Sequence, residues 1–230
     1  DNERAAISLA YLDSNGDADY TFYKEEPLAA TDYTMPEFTD RDYFLFGSYY
    51  SICPGLRPQV KDILHAAHRA GTVIYYDINF RRSHIHQKQE LLPVIQENCR
   101  LSSIVRGSAD DFDILFGTRD PEEIYRKHIS PFCPIFICTA GAGHIFICTP
   151  KGTYDFIVPQ IPANEIVSTV GAGDSFNAGF LCAMHRQAIC KADLADMSHN
   201  QWKLLVEHGI KYSSQVCRSQ DNYIKPLSDK

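Results

Sequence analysis

The chain has 230 residues, 44% of them apolar and 22% charged, and a formal net charge of −7, which is enough length to bury one sizeable core. An acidic balance without a lysine/arginine cluster argues against a nucleic-acid surface, and no apolar run approaches the roughly 18 residues that would read as a membrane helix. The eight cysteines, at 53, 99, 133, 138, 148, 182, 190 and 217, contain no Cys-x-x-Cys pair. They read as reduced, buried small hydrophobes of a cytoplasmic protein. The nine histidines form no metal-spaced set, and His84 and His86 are expected on a surface loop.

Residues 5–12 and 19–24 alternate apolar and polar types about Asn15-Gly16, a strong hairpin signal. Residues 27–42 are linker-like, so the expected division is a hairpin and linker over 1–42 and an α/β core over 43–230. Within that core, strands are predicted at 43–47, 72–77 and 103–106. Helices alternate with them over 56–70, 86–98, 109–116 and 121–128, followed by two strands around Gly141. One helix opens at Gly173 and another runs from about 200 to 216. This alternation predicts an α/β fold with a mainly parallel sheet and helices on both faces.

Four segments carry candidate chemistry. Val73-Ile74-Tyr75-Tyr76-Asp77-Ile78-Asn79-Phe80-Arg81 is an apolar strand closing on polar groups, and side chains just past such a strand's C-terminal end face the ligand crevice. Asp77, Asn79 and Arg81 are therefore candidate ligand groups, although Asp77 and Asn79 also suit an Asx turn. In Ile104-Val105-Arg106-Gly107-Ser108-Ala109-Asp110-Asp111, a strand enters a helix with Ser108 at the N-cap and Asp111 at N3, a capping-box variant. Around Cys138-Thr139-Ala140-Gly141-Ala142-Gly143, two strands meet at a glycine turn.

The fourth segment is Val167-Ser168-Thr169-Val170-Gly171-Ala172-Gly173-Asp174-Ser175-Phe176-Asn177-Ala178-Gly179-Phe180. Small residues at 171–173 let backbone N–H groups approach an anion, and the helix that follows turns its positive end to the same place. Asp174, in that first turn, can take a proton from an attacking hydroxyl. A dinucleotide fingerprint fails because position 176 is Phe, and a Walker loop fails for want of Gly-Lys-Ser/Thr.

Taken in order, these segments resemble the ribokinase-like (PfkB) carbohydrate kinases. The fourth is similar to that family's Asp-Thr-x-Gly-Ala-Gly-Asp signature, with Ser168 in place of the first acid. The others resemble its Asp-x-Asn-x-Arg segment, its Asn-x-x-Glu segment with Ser108 and Asp111 in those places, and its Thr-Leu-Gly-x-x-Gly segment with one residue fewer between the glycines. The resemblance implies a ribokinase-like fold with a small β-lid hairpin that doubles as a homodimer contact. It implies ATP and Mg2+ as cofactors and a small sugar or sugar acid as partner.

By the same resemblance, Asp174 would be the base, with Gly171, Ala172 and Gly173 forming an anion hole. Thr139 and Gly141 would bind ATP, Ser108 and Asp111 would lie near the phosphates, and Asp111 would meet magnesium through water. Asp77, Asn79 and Arg81 would bind the acceptor. Ser168 weakens the case for a monovalent cation. The family's N-terminal strand with its sugar-binding aspartate is not found, so the chain reads as the C-terminal three-quarters of such a kinase. A nucleoside kinase of the same fold and a non-catalytic sugar- or nucleotide-binding relic remain open alternatives.

Overall fold

The computed structural model describes residues 7–12, 18–23 and 33–224. In chain order they form β1 (Ile7–Leu12), β2 (Ala18–Tyr23), β3 (Tyr43–Gly47), α1 (Arg57–Ala70), β4 (Val73–Asp77), α2 (Lys88–Leu101), β5 (Ile104–Ser108), α3 (Ala109–Phe116), α4 (Pro121–Ile124), β6 (Phe136–Ala140), β7 (His144–Thr149), β8 (Gly152–Ile157), α5 (Ala172–Arg186) and α6 (His199–Cys217). They fall into two units, one of Glu25–Ile157 with Ala188–Met197, the other of Asp1–Lys24, Val158–Gln187 and Ser198–Lys230.

The first unit is built on a six-stranded sheet of order β3-β4-β5-β6-β7-β8. Strands β3 to β6 pair in parallel, while β6, β7 and β8 form an antiparallel meander. The mainly parallel α/β sheet read from the alternation of elements is therefore present. All five residues of β4 are buried, as a parallel strand covered on both faces requires. One face of the sheet carries Phe46, Tyr76, Val105, Phe136 and Cys138, which pack with Leu91 and Ile95 of α2 and Phe112 of α3. Because side chains alternate along a strand, the same register sends Asp77, Arg106 and Ser108 to the opposite face.

Helix boundaries follow local chemistry. Gly71, in the left-handed conformation at φ 78°, ends α1, and Ser198 opens α6 through a reciprocal capping box with Gln201. The helix expected over 121–128 is shorter and is completed by a wide π turn, Tyr125–Ile129. Strand β8 was not anticipated, because only Phe156 of its six residues is buried and an edge strand with one buried side chain leaves little periodicity to read. His84 is less exposed than a surface loop implies, stacking on Tyr49 at 4.2 Å between ring centroids. All eight cysteines are free thiols.

In the other unit, β1 and β2 pair antiparallel from Ile7↔Tyr23 to Leu12↔Ala18; the Asn15-Gly16 turn expected between them lies outside the described residues. Helices α5 and α6 pack closely because two glycines face each other. A Cβ on Gly179 would stand 2.6 Å from the His208 carbonyl oxygen and 3.1 Å from Gly209 Cα, and one on Gly209 would meet the Phe176 ring at 2.5 Å. Phe176, Phe180, Ala183 and Met184 recur at helical spacing and are buried, and Phe180 lies beside the buried Trp202. Backbone cannot yield as a side chain can. Gly179→Val is therefore expected to lose about 3 kcal/mol of stability in urea unfolding, at the upper end of overpacking costs, whereas Ala178→Val, exposed on the same helix, should change it by no more than about 0.5 kcal/mol.

Candidate active site

In the sheet unit, four of the candidate residues gather at the C-terminal ends of β4, β5 and β6 around a residue that motif reading passed over, Arg106. Its Nη1 donates to both Asp77 carboxylate oxygens, at 3.1 and 3.0 Å, and its Nη2 donates to Thr139 Oγ1 at 2.9 Å. Arg106 is 7% exposed and Asp77 6%, so this is a buried ion pair. Burial, the largest single influence, opposes the arginine charge, but Asp77, Tyr75 and Asp111 together outweigh it and hold the guanidinium above its usual value, Asp77 contributing most. Removing one partner of such a pair costs about 3–5 kcal/mol because the other charge is left uncompensated. A signal for Arg106 was present in the sequence, since a charge inside a largely buried parallel strand, Ile104–Ser108, must find a counter-ion.

Two residues along, Ser108 caps α3. Its hydroxyl accepts from the Asp111 N–H at 3.2 Å, while Asp111 Oδ2 accepts from the Ser108 N–H at 2.7 Å and from its hydroxyl at 2.8 Å. Burial pushes the Asp111 carboxyl above the ordinary carboxylate range, against the pull of those two Ser108 donors and of Arg106. Among the described residues no group of three or more His, Cys, Asp or Glu is arranged to hold a metal ion. One buried carboxylate fits magnesium that arrives on a nucleotide with its own waters, and would not fit a protein-only cage.

Asn79 and Arg81 leave the end of β4, both half-buried. Asn79 adopts φ 40°, in the left-handed region that asparagine tolerates better than most residues. Gly141, at φ 58°, turns β6 into β7, with the Gly143 N–H closing on the Ala140 carbonyl at 3.2 Å.

In the second unit, Gly171 stands before α5 at φ 81°, where a Cβ would meet the Asn222 carbonyl oxygen at 2.7 Å. No other residue fits that turn without displacing the C-terminal segment. The Ala172 N–H closes back onto the Thr169 carbonyl at 3.1 Å, and the Ser175 N–H bonds the Gly171 carbonyl at 2.9 Å. Of the three small residues expected to bind an anion, Ala172 thus has its N–H engaged within the turn. Asp174 is exposed in the first helical turn, and Ser168 Oγ accepts from the Val170 N–H at 3.1 Å.

The profile of the pfkB family carbohydrate kinases matches residues 1–219. The chain belongs to the PfkB family. Aminoimidazole riboside kinase of Salmonella typhimurium is 28% identical to it over 192 residues, 79% of this chain and 57% of that enzyme. The 2-dehydro-3-deoxygluconokinase of Escherichia coli K12 is 24% identical over 191 residues, 78% of this chain and 62% of that enzyme. The chain therefore spans about three-fifths of the length of these relatives. Its fold is that of solved ribokinase-like kinases. A Vibrio cholerae O395 fructokinase double mutant with fructose, ADP and potassium ion bound superposes with a TM-score of 0.76 at 22% identity, covering 96% of this chain and 69% of the fructokinase. The Salmonella enterica aminoimidazole riboside kinase complexed with aminoimidazole riboside and an ATP analog gives 0.69 at 22% identity, covering 81% of this chain and 60% of that one.

In this PfkB chain the raised Asp111 carboxyl has a consequence for stability. Between its unfolded and its higher folded pKa, the folded state binds more protons than the unfolded state. The group's contribution is therefore fully present below the unfolded value, about 3.9, and is lost as pH rises through the folded one. Asp111→Asn should flatten that decline in urea unfolding measured across a pH series, and a variant with the wild-type slope would show that Asp111 is not its source.

Proposed function

We propose that the protein transfers the γ-phosphoryl group of ATP to a sugar hydroxyl, with Asp174 as general base. The observation that carries this reading is the exposed Asp174 in the first turn of α5, three residues after the left-handed Gly171. A carboxylate there can take the acceptor proton while the nearby helix N-terminus favours the negative charge of the transferring group. With the Ala172 N–H closed on Thr169, the anion would fall chiefly to the amides of Gly173 and Asp174, which Gly171 shapes from behind.

Thr139 and Gly141 would bind the nucleotide. Ser108 and Asp111 would order the waters of magnesium, which when bound neutralises phosphate charge. Asn79 and Arg81 would face the acceptor. The Arg81 guanidinium suits the carboxylate of a sugar acid, in line with the similarity to 2-dehydro-3-deoxygluconokinases. A riboside acceptor is the second reading, favoured by the similarity to aminoimidazole riboside kinase. We place the protein in the cytoplasm on the strength of its eight free thiols, with residues 1–42 as lid and linker. Ile7, Leu9, Tyr11 and Tyr23 are exposed and share one face of the β1–β2 pair by register; we take a second copy of the chain as the partner that covers it.

Release of ADP from Mg·ATP is the test, over 2-dehydro-3-deoxygluconate, fructose, ribose, adenosine and aminoimidazole riboside. Asp174→Asn keeps the shape and removes the base, and turnover with the accepted substrate should fall at least ~10²-fold. Mutant turnover equal to wild type would remove Asp174 from the mechanism. Nucleotide binding by calorimetry without ADP release on any acceptor would point instead to a binding relic.

A further inference from the structure

The resemblance groups Asp77 with Asn79 and Arg81 as an acceptor ligand, but its surroundings point elsewhere. Both of its carboxylate oxygens accept from Arg106 Nη1, and the second Nη of the same guanidinium is spent on Thr139. Arg106 Nε is buried and has no hydrogen-bond partner. If the only task here were to tie three strands together, apolar side chains would do so without an unsatisfied donor or a desolvated charge. What the arginine adds is direction. A planar fork anchored at one prong fixes where the other prong points, and here it points at one side-chain oxygen on β6. Residues Asp77 and Arg106 are register partners, Thr139 pairs with Ser108, and Arg106 and Ser108 are two apart on β5. All four therefore lie on one face at the C-terminal edge of the sheet.

We propose that Asp77 and Arg106 are positioning residues for the nucleotide: Asp77 is the counter-ion that orients Arg106, and Arg106 holds the Thr139 hydroxyl in the rotamer that binds ATP, so neither touches the acceptor. This rests on the kinase reading, with Thr139 at the nucleotide. It assigns Arg106 a part in the reaction and moves Asp77 from the acceptor to the nucleotide side.

The test is a cycle of Arg106→Lys, Thr139→Val and the double variant, with Asp77→Asn beside them. Folding is checked by circular dichroism and urea unfolding, affinity for Mg·ATP and for the acceptor by calorimetry, and kcat and KM by ADP release. Lysine keeps the charge for Asp77 but lacks the fork, and valine keeps the shape of Thr139 without its hydroxyl. Arg106→Lys and Asp77→Asn should each weaken nucleotide binding on the order of 10-fold, about what one hydrogen bond to a charged group is worth. Acceptor affinity should stay at the wild-type value. In the Thr139→Val background, Arg106→Lys should have no further effect, because the residue through which it acts is gone.

Additive effects in the double variant, or a rise in acceptor KM with nucleotide affinity unchanged, would overturn the proposal and return Asp77 to the acceptor. Variants that only lose stability, with wild-type nucleotide affinity in the folded fraction, would reduce the pair to a structural tie. Should the charge variants fail to fold, Thr139→Val, which leaves the ion pair intact, must still weaken nucleotide binding, or the proposal is lost. A wild-type protein that neither binds Mg·ATP nor releases ADP would instead count against the kinase reading itself.

Discussion

A guanidinium withdrawn from water in the middle of a parallel sheet is the constraint around which the sheet unit is arranged. At 7% exposure the permanent charge of Arg106 is costly to leave uncompensated, and the carboxylate hydrogen-bonded to it is that of its register partner Asp77. Sliding β4 against β5 by one residue would send Asp77 to the opposite face, which is filled by Tyr76, Val105, Phe136 and Phe112. The apolar face and the ion pair thus select the same register for different reasons. An error in it would bury an uncompensated charge at about 3–5 kcal/mol, a large fraction of the stability of an ordinary domain.

The same few groups carry both structure and the proposed chemistry at two helix starts. Ser108 and Asp111 satisfy each other as a capping box, and that service holds a carboxylate beside the α3 N-terminus in a setting dry enough to raise its pKa. Gly171 lets the chain turn sharply against Asn222, and that turn exposes Asp174 at the α5 N-terminus. A capping residue and a phosphate-binding residue need the same thing, a polar group aimed at or presented beside backbone N–H groups. For this reason the two readings of Ser108 do not compete.

Much of this was legible in the sequence, and what was missed has physical reasons. The order of strands and helices followed from the alternation of apolar strand runs with helical patterns, while the residues that bound the helices here, Gly71, Gly117 and Ser198, had not been singled out. Strand β8 was silent because it lies at the edge, where pairing needs backbone and hardly any buried side chains. Arg106 was missed for another reason: motif reading weighs residues that face a ligand, while Arg106 faces other side chains. A burial argument would have found it, since a lone charge in a buried strand is more anomalous than a serine before a helix. The partners it selects, Asp77 and Thr139, lie 29 and 33 residues away in sequence, and no local pattern encodes such pairings.

Of the three non-glycine residues with positive φ among the described residues, Ser48, Asn79 and Ala188, two lie where β3 and β4 end. Ser48 sits at φ 58°, ψ −168°, a region almost reserved for glycine, and Asn79 at φ 40°. Such residues cost about 1–3 kcal/mol each and persist only when their surroundings over-determine them. Ser48 is held in that way. Its N–H donates to the Asp77 carbonyl at 3.1 Å, and its own carbonyl accepts from the Ser51 N–H at 3.2 Å and the Ser51 hydroxyl at 2.7 Å. The Ser51 carbonyl in turn accepts from Arg57 and Asn98, and Arg57 also donates to Glu97 at 2.7 Å. That network ties α1 to α2. Stability laid down among the helices is thus passed, through Ser51, to the exit of β3, where Ser48 meets the backbone of the residue whose side chain anchors Arg106. The hydrogen-bonded network thus lies directly behind the end of β4, the strand from which Asn79 and Arg81, proposed above as acceptor groups, depart, and a scaffold held in this way is what preorganisation of such groups would need.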